Sequence, residues 1–131
     1  MKRVVSYPAI FHYENNGYWV EMPDVDGFVT QGDTVEEAFL MAREALGLCL
    51  EDLEEYPEAT DMAEMAQYKN EDEDKDFVTM VMIDMVDYKN SKAQSVKKTL
   101  TLPAWINELA LKKNINFSET LKEALLKKLE L

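Results

Sequence analysis

Apolar residues along this chain switch between two periods, and the switches mark its elements. Residues 3–13 read Arg-Val-Val-Ser-Tyr-Pro-Ala-Ile-Phe-His-Tyr, rich in β-branched and aromatic types, and end at Glu14-Asn15-Asn16-Gly17. An Asn-Gly step before a second such run, Tyr18 to Met22, predicts a β-hairpin. Pro8 has no N–H to give a ladder, so it predicts an edge position or a bulge in the first strand. Pro23-Asp24-Val25-Asp26-Gly27 is turn chemistry, and Phe28 to Gln31 predicts a short third strand. An antiparallel meander is the economical arrangement.

The period then lengthens. Thr34, with Glu37 three places on, has the form of a capping box. Val35, Ala38, Phe39, Ala42, Ala45, Leu46, Cys49, Leu50 and Leu53 follow at helical spacing, which predicts one helix face packed on the sheet. The pattern ends near Glu54-Glu55-Tyr56-Pro57. Residues 58–76 are acidic and weakly patterned: Met62, Met65 and Ala66 predict a short helix with an apolar edge, and Asn70 to Asp76 a charged loop. Phe77 to Met85 alternates again, but both sides are apolar, which predicts a strand inside the sheet or at a subunit interface. Tyr88 to Gln94 is polar and unpatterned and reads as a linker.

The last stretch, Ser95–Leu131, is a strand followed by two helices. Val96, Leu100 and Leu102 alternate with Lys97, Thr99 and Thr101. Pro103 suits the first turn of a helix, where a missing N–H costs nothing. Trp105, Ile106, Leu109 and Ala110 stripe that helix, which closes at Lys112-Lys113-Asn114-Ile115 with positive charge where the dipole favours it. Asn116 with Glu119 forms a second capping box, with Ser118 as the alternative cap, before the stripe Phe117, Leu121, Ala124, Leu125 and Leu129. A unit of about forty residues buries too little surface to stand alone, so this one calls for a partner copy.

The net charge of −12 hides a division. Residues 89–131 hold nine lysines against four glutamates, +5, which leaves 5 basic and 22 acidic residues in 1–88, −17. The tail suits a polyanion and the body repels one. The single cysteine, Cys49, excludes an internal disulfide and a cysteine metal site and fits a reducing cytoplasm. No apolar run is long enough for a signal core or a bilayer crossing, so no membrane role is expected.

Candidate chemistry is sparse. Asp24 and Asp26 could hold a divalent metal between them, but flanked by Pro23 and Gly27 they are more simply turn residues. His12, the only histidine, lies on a strand and reads as a structural or surface histidine rather than a base. No Ser/His/Asp set, Cys/His pair or glycine-rich phosphate loop can be assembled. Neither catalysis nor a cofactor or metal is expected.

Two resemblances meet in this order of elements. Lys97-Lys98-Thr99-Leu100-Thr101-Leu102-Pro103 and Ser118 to Leu125 resemble the ribbon-helix-helix repressors. Tyr7 to Phe11, Gly17 to Gly27 and Thr30 to Ala38 resemble the HicB antitoxins, over most of 3–55 and again at 77–85. The resemblance implies an α+β protein: an N-terminal reduced ribonuclease H-like antiparallel sheet with one main helix, without the nuclease's metal-binding acids, plus a C-terminal ribbon-helix-helix dimerisation domain. The divisions expected are 1–88 for the toxin-neutralising body, 89–94 for the linker and 95–131 for the DNA-binding tail.

What it implies for function is an antitoxin of a type II pair. Its partners are a HicA-like mRNA-cleaving toxin, which the body blocks, and operator DNA, which the tail binds as a homodimer. Assembly beyond the dimer stays open. The paired strands would enter the major groove with Lys97, Thr99 and Thr101 toward the bases. Lys98 falls where an apolar residue is more usual and is placed at the strand edge near phosphate. The backbone N–H groups of Phe117 and Ser118 would meet another phosphate, with Glu119 competing unless it folds back as a cap. Acids near the turn, Glu21, Asp24 and Asp26, with Tyr18 beside them, are the candidate toxin contacts, since an RNA-binding toxin is basic. The rival reading is a stand-alone ribbon-helix-helix regulator whose body binds a small molecule or only drives oligomerisation.

Overall fold

The computed structural model describes residues 2–65 and 75–131. Its elements, in order, are β1 (Val4–Glu14), β2 (Gly17–Glu21), β3 (Val29–Gly32), α1 (Val35–Leu50), α2 (Met62–Met65), β4 (Phe77–Asp84), α3 (Met85–Lys92), α4 (Ala104–Lys112) and α5 (Phe117–Lys128). The chain divides into two compact units, Met1–Lys92 and Ala93–Leu131.

In the first unit the four strands form one antiparallel sheet in the order β3-β2-β1-β4. The expected meander is present. Asn15 and Asn16 take positive φ (52° and 64°), which matches the right-handed twist of the strands they join, so Glu14 pairs with Gly17 and His12 with Trp19. β1, however, is an interior strand, contrary to the edge position Pro8 suggested. It also carries no bulge, because its register with β4 is unbroken from Val4↔Asp84 to Phe11↔Phe77. The ladder to β2 begins only at Ile10. Pro8 therefore sits where one flank of β1 has no strand to receive an N–H.

The register sorts the side chains onto two faces. Tyr7, Ala9, Phe11, Val20, Met22, Val81 and Ile83 meet Ala38, Ala42, Leu46 and Leu50 of α1 in the main core. Thr34 starts α1 as expected, its hydroxyl accepting from the Glu37 N–H at 3.1 Å. Gly32 makes the tight entry possible: a Cβ there would overlap the backbone of Ala38, 2.8 Å from its Cα. Phe39 of the predicted stripe is partly exposed yet stacks on Phe11 with ring centroids 4.5 Å apart, whereas Leu53 lies beyond the helix and is exposed.

β4 is an edge strand, not an inner one. Val81 and Ile83 are buried beneath α1, and α2 contacts β4, with Met65 fully buried. Met80 and Met82, on the face away from α1, stay exposed. Ala66 of the predicted short helix, and residues 70–74 of the predicted charged loop, lie outside the described residues.

After β4 the chain turns into α3, so helix occupies Lys89–Lys92, which the sequence reading assigned to a linker. Three contacts hold it. The Asp84 carboxylate accepts from the N–H groups of Val86 and Asp87 (3.0 and 3.1 Å), Tyr88 is buried against Gly47, and Lys92 reaches Glu44 at 2.6 Å. Tyr88, read as part of a polar stretch, belongs to the core.

The second unit holds α4 and α5. Pro103 is the N-cap of α4 (φ −55°, ψ 136°), one place before the first turn. Asn116, not Ser118, caps α5, its side chain accepting from the Glu119 N–H at 3.1 Å. Asn114 (φ 55°) turns the chain between the two helices. Residues 93–103 form no strand. A strand is defined by its hydrogen-bonded neighbour, and among the described residues of one chain these have none.

Candidate functional site

The tail's candidate reading segment is fully displayed. Residues 95–102, including Lys97, Lys98, Thr99 and Thr101, are exposed. So are the apolar residues that alternate with them: Val96 is 87% exposed, Leu100 57% and Leu102 48%. The helices repeat the pattern, since Trp105, Leu109, Phe117, Leu121 and Leu125 are all exposed and Ala110 is the one buried residue of the unit. At the start of α5, Glu119 does not fold back over the helix end: its carboxylate lies 3.4 Å from Lys122, one turn along. Glu119 therefore remains in the first turn of α5, beside Phe117 and Ser118, as the competitor for an anion that the sequence indicated in the absence of a back-folded cap.

In the body, the acids expected to act together are separated. The Asp24 carboxylate is engaged: Oδ2 accepts from the Thr60 N–H at 2.8 Å and Oδ1 from the Thr60 hydroxyl at 2.6 Å. Beside it the Tyr7 hydroxyl donates to the Pro57 carbonyl at 2.6 Å. Burial, helped by Asp24 and Tyr56, pushes the Tyr7 phenol above its ordinary value, which keeps it a donor. These bonds pin residues 57–60 onto the sheet, so Asp24 is a structural clamp. Asp26 is exposed. Tyr18 lies on the α1 side, edge-on to Tyr13 and Phe77 at 5.3 and 5.8 Å, while Glu21 lies on the opposite face.

That opposite face holds a cluster the sequence reading missed. His12 stacks on Trp19, its cross-strand partner, at 4.0 Å and 14° between planes. Its Nδ1 lies 3.3 Å from Oδ2 of Asp76 and its Nε2 3.6 Å from Oε2 of Glu21. Asp76, only 4% exposed, also accepts from the Tyr13 N–H at 2.8 Å. The histidine is thus fixed in place and holds a half-exposed indole flat against the sheet, in an acidic surround. The signal was available: the Asn15-Asn16 turn sets 12 opposite 19. The Cys49 thiol is pushed up by burial, which disfavours the thiolate. Among the described residues, no three or more His, Cys, Asp or Glu side chains converge as a metal site would need, and no helix is long and apolar enough to cross a membrane.

Taken separately, the body offers an acidic surface with fixed aromatics and the tail an open apolar surface with lysines. Both are equipment for meeting partners, and the class they define is an interaction protein. The chain belongs to the HicB-like antitoxins: residues 7–129 match the family described as the HicB-like antitoxin of bacterial toxin–antitoxin systems. It is 39% identical over 102 residues to an uncharacterized 14.9 kDa protein from the rep-hol intergenic region of Haemophilus phage HP1, spanning 75% of this chain and 73% of that one. A shorter match, 41% over 46 residues, links 35% of the chain to 33% of antitoxin HicB 2 of Photorhabdus laumondii. Among solved structures, a chain of a toxin–antitoxin complex from Streptococcus pneumoniae superposes with a TM-score of 0.58 at 34% identity, covering 95% of this chain and 99% of that one. The Burkholderia pseudomallei antitoxin HicB shares the fold at a TM-score of 0.51 and 18% identity, covering 96% and 97%.

Proposed function

We propose that this antitoxin blocks a HicA-like, mRNA-cleaving toxin with its body and represses its own operon with its tail. The observation that carries the reading is that the change of charge falls at the boundary between the two compact units. Residues 93–131 hold seven lysines against four glutamates, +3, leaving 7 basic and 22 acidic residues in 1–92, −15. A toxin that grips RNA presents cations, and an acidic surface attracts and covers them. The acids of the open sheet face around Trp19 and Glu21, with exposed Asp26, are the contacts we assign to it. A body related to a reduced ribonuclease H-like fold, used as a binding platform, accords with this role.

In the tail, one copy leaves both helix stripes and the strand's apolar side in water. A second copy resolves both deficits at once: two 95–102 segments pair as an antiparallel ribbon, and the helices close a shared core. In a ribbon-helix-helix dimer of this kind, Lys97, Thr99 and Thr101 read bases in the major groove. Lys98 and the Phe117 and Ser118 N–H groups hold phosphates.

The test compares the full chain with a chain ending at Lys92. The full chain is expected to shift DNA from upstream of its own gene and to stop RNA cleavage by the small basic protein encoded beside it. The shortened chain is expected to lose the shift and keep the inhibition. A retained shift would remove the tail as reader, and lost inhibition would remove the body as the neutralising part.

A further inference from the structure

β1 outruns the strand it pairs with, and the excess leaves part of its main chain bare. Its ladder to β2 runs only from Ile10 to Glu14. Glu14 and Gly17 close the two-residue turn as a hydrogen-bonded pair, so even-numbered residues of β1 turn their N–H and C=O groups toward β2. Odd-numbered residues turn the other way: the Arg3 carbonyl accepts from the Met85 N–H at 2.8 Å, and the Tyr13 N–H donates to Asp76. Val4 and Ser6 therefore each aim an N–H and a C=O past the end of β2, where no main-chain group among the described residues meets them. A groove of about 810 Å³ opens there, between residues 2–7 and residues 54–59. The described residues that bracket 66–74 are held elsewhere: α2 contacts β4, on the other side of β1, and Asp76 is bonded to Tyr13 at the far end of the strand.

The lining decides which chain fits. Three exposed carboxylates, Glu54, Glu55 and Glu58, stand against one ammonium, Lys2. Arg3 adds nothing, because it reaches Asp84 and Asp87 at 2.8 and 3.2 Å. A bare strand edge invites unwanted pairing, and like charge is one way to close it to the wrong partner. These acids close it to a second body, which itself carries −15. They leave it open to an extended segment carrying lysine or arginine, whose main chain completes the bonds of Val4 and Ser6. Val4, 47% exposed, and half-buried Tyr56 give such a segment apolar contact.

We propose that an extended, basic segment of the toxin adds beside residues 4–6 as a strand, prolonging the line of β2. This rests on the neutralising role argued above and supplies a second contact, apart from the face that carries Trp19 and Glu21. Main-chain pairing gives the hold, and the carboxylates select for charge.

Amide hydrogen exchange on the full-length chain tests it, read at the Val4 and Ser6 N–H groups with and without the toxin. Both are expected to exchange fast in the free chain and about 100-fold more slowly in the complex. Glu54→Lys/Glu58→Lys is expected to weaken toxin binding about 10-fold at low salt, a difference that shrinks as salt rises. Both side chains are exposed, so the unfolding midpoint is expected to hold, and Glu54→Gln/Glu58→Gln is expected to fall between. Inhibition of RNA cleavage with fast exchange at both groups overturns this contact and leaves the neutralising role standing. No inhibition by the unaltered chain removes the role and the contact together. Protection that rises with the concentration of the free chain, before toxin is added, would seat a second copy on the flank and overturn the proposal. So would a lysine variant that binds the toxin as tightly as the unaltered chain at low salt.

Discussion

Replacing Gly47 by alanine sets two effects of opposite sign against each other. Gly47 is buried inside α1, and a Cβ there would fall 2.5 Å from both Cδ2 and Cε2 of the Tyr88 ring. Helix propensity alone favours alanine by about 1 kcal/mol. The overlap costs ~1–3 kcal/mol, because Tyr88 is 7% exposed on a short helix whose Met85 and Val86 are also buried, leaving the ring little room to move. The expected net is a loss of about 1 kcal/mol. Tyr88→Ala alone empties a large buried site and is expected to cost ~3 kcal/mol. With the ring gone only the propensity remains, so adding Gly47→Ala to Tyr88→Ala is expected to restore about 1 kcal/mol. The sign reverses between backgrounds, a coupling of about 2 kcal/mol. Urea unfolding reads it through Trp19, the body's only tryptophan, in a Trp105→Phe background, with the slope held constant across the four proteins. If Gly47→Ala stabilised both backgrounds equally, the ring would not rest on Gly47, and the account of what docks α3 would be wrong.

Three further outcomes are expected. Asp24→Ala removes both bonds to Thr60 and is expected to cost about 2 kcal/mol in urea unfolding; RNA incubated with Mg²⁺ should stay intact with either protein, and cleavage that Asp24→Ala abolished would revive a metal-nuclease role. The Asp84 carboxyl is resisted by burial but held below its ordinary value by the Arg3 hydrogen bond and the α3 N–H groups, so its contribution is complete above the ordinary carboxylate range and is lost as pH falls through the lowered value. Asp84→Asn is accordingly expected to flatten the acid limb of a stability–pH curve, and an unchanged slope below pH ~4 would refute the linkage. Lys97→Ala with Thr99→Ala is expected to weaken operator binding and, through Lys97, to lower the salt slope by about 1, as read by titration at several salt concentrations; an unchanged affinity and slope would mean another segment reads the DNA.

The sequence carried the local signals well and the neighbourhoods poorly. Thr34 and Asn116 cap the helices their spacing indicated, because a cap depends on residues three places apart. Pro8 misled because strand order is a long-range property: β4, some seventy residues on, made β1 interior. The both-sided apolar pattern of β4 reflected α1 on one face and α2 with an open strip on the other, not a central position. Tyr88 sat among polar residues, and only Gly47 on another helix explains its burial. Glu21 and Tyr18 were grouped by nearness in sequence, yet an odd separation along a strand puts them on opposite faces. His12 and Trp19 were read apart although the turn joins them. Lengthening that turn by one residue would have set Trp19 opposite Tyr13, on the core side, so the loop's length decides what the open face presents.

On the function proposed above, the segment 93–103, which forms no strand in a single chain, would tie recognition to abundance. A surface that exists only once two chains meet is present in proportion to the square of the free chain concentration when the pair is scarce. Any target read by that ribbon is then occupied along a steep curve rather than a gentle one. A modest fall in the amount of protein, by degradation or by dilution at cell division, would empty the target disproportionately, with no ligand and no chemical modification required. On that reading, the hydrogen-bond partner that a second copy would bring to these eleven residues would act as a counting device.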